Sequence, residues 1–207
     1  MKNFTLYTMP QSRGTNVLWM LEECGARYDT VALSEQSIKS PEYLAINPLG
    51  KVPALRHGDH IITETAAIIT YLAEQFPEKQ LIPDATSEER GQYYRWLLFS
   101  IQFEYAARDK QRNIQNNEAQ RSAVGYGDFD TAFDMICQHI GNHEYMVGNH
   151  FSALDIYYGG LLTWFTQYAQ VFPANSILTA YFDRLYTRPA FQQAQAIDQK
   201  LAAQATQ

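Results

Sequence analysis

Strand-forming patterns end at residue 63 of this 207-residue chain, and every later apolar pattern has helical spacing. FTLYT (4–8) is rich in β-formers. From Ser12 to Gly25, the set Val17, Leu18, Leu21 and Cys24 recurs at helical intervals, and Gly25 stops it. YDTVAL (28–33) alternates like a strand. Ser40 and Pro41 supply an N-cap and a first-turn proline for a short helix through Ile46. KVPAL (51–55) and HIIT (60–63) flank His57-Gly58-Asp59, a hairpin signal. ETAAIITYLAEQF (64–76) is a helix with Ala67, Ile68, Tyr71 and Leu72 on one face, ended by Pro77. The order is β-α-β-α-β-β-α, an α/β domain.

The polar, turn-rich PDATSEERG (83–91) opens the second half, where Thr86 and Glu89 are spaced as a capping box. Helices are expected near 88–110, 121–140, 153–168, 175–187 and 190–204. A boundary between residues 78 and 86 gives an α/β domain over 1–78 and an all-helical domain over 87–207. FSALDI carries the sharpest helix start: Ser152 caps, Asp155 returns to the Ser152 N–H, and Phe151 and Ile156 are spaced as a hydrophobic staple.

An apolar fraction of 46% and an aromatic fraction of 14% supply a sizeable core. A net charge of −6 argues against a nucleic-acid or anionic-membrane binder. No apolar run approaches the roughly 18 residues of a membrane span. MKNFTLYTMP has no apolar stretch of the signal-peptide kind, so a cytoplasmic protein is expected. Cys24 and Cys137 lie in apolar helical runs and read as reduced core thiols with no metal-ligand spacing. His57, His60, His139, His143 and His150 show no metal spacing or nucleophile partner and read as surface residues; no metal is expected.

Two stretches carry chemistry. Pro53 lies inside a strand-like run, yet proline cannot donate a ladder hydrogen bond. A plain edge strand is one solution. A cis Val52–Pro53 bond is the other, leaving the Val52 backbone free to pair with an extended peptide-like ligand. Further on, TETAAI starts a helix directly after a strand. Its N-terminal amides with the Thr65 hydroxyl suit a carboxylate, and Glu64 suits an ammonium, so the pair fits a zwitterionic amino-acid head. An ordinary N-cap is the plainer alternative.

NPLGKVPAL (47–55), ETAAIITYLAEQFP (64–77), a polar linker and a helical half bearing FSALDI together resemble the cytosolic glutathione transferase family, as a bacterial member of serine or tyrosine type. The resemblance runs from residue 4 to about 190. It implies a thioredoxin-like domain holding glutathione, a helical domain holding much of a hydrophobic-substrate site, and a homodimer. By that likeness Val52 before Pro53 pairs with the cysteinyl backbone of glutathione, and Glu64 and Thr65 hold its γ-glutamyl head. Lys51 and Lys39 stand where the glycyl carboxylate is met. Ser152 and Asp155 are fold residues.

Such a site activates the glutathione sulfur for attack on a small hydrophobic electrophile. The likeness leaves two donors open in LYTMPQSRG (6–14): Tyr7 at the strand end followed by Arg13, or Ser12 in Pro10-Gln11-Ser12, the favoured of the two. No cysteine lies between residues 7 and 15, which argues against an enzyme using its own thiol. Met9, Tyr105, Arg108 and Trp164 are candidates for the electrophile site. A glutathione-dependent disulfide or peroxide reductase and a non-catalytic binding protein are the competing readings.

Overall fold

The computed structural model describes residues 3–205, which divide into two compact units: residues up to Leu81 together with Tyr186 onward, and Ile82–Leu185. In the first unit β1 (Asn3–Thr8), α1 (Gly14–Cys24), β2 (Arg27–Ala32), α2 (Pro41–Leu44), β3 (Ala54–His57), β4 (His60–Thr63) and α3 (Thr65–Gln75) follow the expected order. The four strands form one mixed sheet in the order β2-β1-β3-β4. β1 and β2 are parallel, and β1–β3 and β3–β4 are antiparallel. This is a thioredoxin-like arrangement.

Period-2 alternation splits β1 between two faces. Phe4 and Leu6 are fully buried, as are Val17, Leu18 and Leu21 of α1 and Ile68, Ile69 and Leu72 of α3. Tyr7 instead joins Tyr43 and Ala54 in a second apolar cluster, flanked by Leu33, Ile38, Ile46, Val52 and Ile61. KVPAL is strand only from Ala54: Lys51, Val52 and Pro53 stay outside the ladder because proline has no N–H to give it.

The last helix, α9 (Pro189–Ala205), packs on α1 within this first unit, although the sequence reading groups it with the helical half. Arg188 grips Glu23 with two bonds, Nε to Oε1 at 2.6 Å and Nη2 to Oε2 at 2.9 Å, while Trp19 Nε1 donates to Oε1 at 3.0 Å. Such a fork–fork pair fixes orientation as well as distance.

The second unit is all helical: α4 (Glu88–Gln111), α5 (Glu118–Ala123), α6 (Phe129–Asn142), α7 (Ala153–Thr163) and α8 (Ser176–Tyr186). Two expectations need correction. The helix cap at the start of α4 is Ser87, whose Oγ accepts from Glu89 N–H, and not Thr86. The helix expected over 121–140 is two helices, with Gly127 at φ +68° between them. α7 runs on into one π-turn at Trp164–Tyr168.

The Ser152–Asp155 start of α7 forms as expected and reaches further. Asp155 is fully buried, and it accepts from Ser152 N–H, Ser152 Oγ, Met146 N–H and Tyr181 Oη. Burial pushes its carboxyl up to about 6, against the pull of those donors. Tyr158 Oη donates to the Trp96 carbonyl at 2.8 Å, tying α7 to α4. Among the described residues no helix is long and apolar enough to cross a membrane.

Candidate active site

Sheet register brings three loops to one end of the sheet. Tyr7 lies opposite Ala54, and Ala54 lies opposite Thr63. The segment leaving β1 (Met9 to Arg13), the segment entering β3 (Lys51 to Pro53) and the residues leaving β4 (Glu64 and Thr65) therefore emerge side by side.

The first loop presents the two hydroxyls unequally. Tyr7 is only 6% exposed, its ring 6.1 Å from that of Tyr43, with the Arg56 guanidinium 5.3 Å from its centroid. Ser12 is half-buried at the foot of α1, where its Oγ accepts the Gly14 N–H at 3.0 Å. A hydroxyl has one proton and two lone pairs, so accepting that amide leaves its O–H free to donate elsewhere. Arg13 is exposed and already helical in φ and ψ. Gly14 is required for close approach: a Cβ there would stand 1.8 Å from the Oγ1 of buried Thr8. Gly14→Ala should therefore destabilise the fold by about 1–3 kcal/mol through overpacking, measured as a lower chemical-denaturation midpoint.

The second loop is clamped from α2. The Lys51 carbonyl accepts from Tyr43 Oη at 2.6 Å and Asn47 Nδ2 at 2.8 Å, and Leu49 N–H donates to Asn47 Oδ1. Val52–Pro53 is cis. Pro53 is buried and Val52 half-buried, while the Lys39 and Lys51 side chains are exposed. At the third loop Glu64 is exposed with φ +67°, a region non-glycine residues rarely enter. Its carbonyl accepts Ile68 N–H, so the helix begins on a strained residue, with Thr65 buried beside it.

The remaining candidates are spread over both units. Met9 is half-buried in the first. In the second, Tyr105 is 62% exposed, Arg108 lies 5.1 Å from the Phe165 ring centroid, and Trp164 stacks on Tyr168 at 5.6 Å. Both cysteines are free and buried; burial pushes the Cys24 thiol up to about 12 and raises Cys137 as well, which disfavours the thiolate. Two histidines depart from the surface reading. His139 is half-buried between Trp96 and His143, with burial lowering its pKa, and half-buried His57 pairs with Tyr71 Oη at 2.6 Å. Among the described residues no cluster of three or more metal-ligating side chains exists.

Residues 2–74 match the family described as Glutathione S-transferase, N-terminal domain. The full chain has the glutathione S-transferase fold: it superimposes on the enzyme from Xylella fastidiosa with a TM-score of 0.77 at 27% identity, covering 94% of this chain and 98% of that one. A sphingomonad glutathione S-transferase complexed with glutathione gives a TM-score of 0.76 at 25% identity and the same coverage. Among curated relatives, Glutathione S-transferase F10 of Arabidopsis thaliana is 27% identical, over 93% of this chain and 96% of its own. The likeness therefore extends beyond the matched N-terminal domain through the helical half.

Within this glutathione S-transferase fold one residue of consequence escaped the sequence reading. Asp198 lies on the buried face of α9 between Ala194 and Leu201, and its Oδ2 accepts the Gln11 N–H at 2.9 Å. The signal was a carboxylate at a core position of an otherwise apolar helical seam.

Proposed function

We propose that the chain is a glutathione transferase in which Ser12 donates to the glutathione sulfur and so activates it for attack on a small hydrophobic electrophile. The observation that carries this is the convergence of Ser12, the Val52 backbone and the Glu64–Thr65 pair at one end of the sheet. Val52 pairs with the cysteinyl backbone, Glu64 takes the ammonium and Thr65 with the α3 amides takes the carboxylate of the γ-glutamyl head. Lys51 and Lys39 provide the positive charge for the glycyl end, and Arg13 adds positive field at the sulfur. Burial of Tyr7 against Tyr43 supports Ser12 as the donor.

Met9 of the first unit is assigned to the electrophile; in the second unit Arg108 and Trp164 offer cationic and aromatic surface. The functional unit in this reading is a homodimer. In support, Tyr94, Leu98 and Ile101 are exposed along one face of α4, and Tyr105 continues the same stripe. Tyr105 is proposed for the electrophile as well.

Retention on immobilised glutathione, followed by turnover of a chloronitrobenzene-type substrate, tests the reading; a pure, folded protein that neither binds glutathione nor perturbs its thiol overturns it. Glu64→Gln removes a charge-assisted bond of about 1.5–3 kcal/mol. Calorimetric titration should then give glutathione binding weaker by about tenfold to a hundredfold.

A further inference from the structure

Gln11, the residue before Ser12, has φ +56°, a left-handed conformation that a non-glycine side chain adopts only where its surroundings impose it. Asp198 imposes it. Its Oδ2 accepts the Gln11 N–H at 2.9 Å. The carboxylate therefore holds the chain immediately before Ser12, from a helix 187 positions away in sequence.

The placement is costly. Asp198 is 4% exposed, and its Oδ1 has no hydrogen-bond partner among the described residues. An alanine or leucine there would continue the apolar seam set by Ala194 and Leu201 with no desolvation penalty. A buried, half-satisfied carboxylate kept on that seam implies a task other than helix packing. We infer that Asp198 is a positioning residue for Ser12: by fixing Gln11 in the left-handed conformation, it aims the Ser12 hydroxyl at the glutathione sulfur.

The inference rests on Ser12 being the thiol donor, and it assigns Asp198 no contact with substrate. Its effect travels through the loop. A hydrogen bond to a thiolate weakens steeply as its angle opens, so a loop released from α9 keeps its serine but loses alignment.

The test is a double-mutant cycle on the full chain with Ser12→Ala and Asp198→Ala, reading kcat/KM, calorimetric glutathione affinity and the thiol pKa of bound glutathione. Asp198→Ala alone should lower kcat/KM about tenfold and raise the bound thiol pKa, with glutathione affinity within about threefold. In the Ser12→Ala background the same substitution should change turnover less than about twofold. Asp198→Asn, whose amide oxygen can still accept the Gln11 N–H, should recover most of the wild-type rate and carries the cycle if the alanine variant folds poorly.

Losses that simply multiply, or a lower melting temperature with unchanged turnover and thiol pKa, would reduce Asp198 to a packing residue and overturn the inference. A Ser12→Ala enzyme that turns over normally overturns it as well. That failure shows in the single variant, separately from failure of the latch.

Discussion

Ser12→Ala should cut turnover with a chloronitrobenzene-type electrophile by about a hundredfold at neutral pH while glutathione still binds. A free thiol has a pKa near 8.5, so at pH 7 only a few per cent of it is thiolate. A donor aimed at the sulfur favours the charged form and lowers that pKa; each unit of lowering corresponds to about 1.4 kcal/mol. The sign sets the pH dependence. Wild type should be near its plateau by neutral pH, whereas the alanine variant should keep gaining rate up to about pH 8.5–9, where glutathione ionises unaided. The deficit should shrink along the way. Tyr7→Phe is the control, expected within about twofold of wild type, because its ring belongs to the Tyr43–Ala54 cluster. A thiol pKa that rises in Tyr7→Phe and not in Ser12→Ala would move the donor to Tyr7.

What the sequence made legible follows the range of the forces concerned. The β1–α1 alternation, the Gly58 hairpin and the Ser152–Asp155 start of α7 are written in neighbouring residues, because periodicity, turn geometry and capping are local. Pro53 announced its exclusion from the ladder for the same reason. Errors arose where neighbouring residues offered equal chemistry: Thr86 and Ser87 can both cap, and the chain uses the one with extended backbone at the helix edge. His139 carries no local mark of its burial, because its environment comes from Trp96 on another helix. For Asp198 the local signature is only the carboxylate in an apolar seam; its partner Gln11 lies 187 positions away. Of the candidate site, the residues were readable one by one, but only the register Tyr7–Ala54–Thr63 puts their loops at the same end of the sheet.

Asp155→Ala should be the most destabilising of the substitutions considered, by about 3–5 kcal/mol, out of a total stability of about 5–15 kcal/mol for a protein of ordinary robustness. The carboxylate gathers the amides of Met146 and Ser152 and the hydroxyls of Ser152 and Tyr181 at 2.8–3.0 Å. Removing it leaves those buried donors facing one another across a cavity, each unsatisfied group costing about 1–3 kcal/mol. Asp155→Asn keeps one acceptor oxygen but turns an NH2 toward donors, so it should recover only part of the loss. Charge adds a second, sharper signature. Burial holds the folded carboxyl at about 6, above its ordinary value of 3.8, so between those limits the folded state binds a proton that the unfolded chain does not. The stability this group contributes is complete below the lower limit and is lost as pH rises through the upper one. The asparagine variant lacks that titration. Its deficit relative to wild type, measured by urea denaturation at matched pH, should therefore be larger at pH 4 than at pH 7. A deficit that grew toward pH 7 would mean that the four donors outweigh burial and hold the folded carboxyl below 3.8.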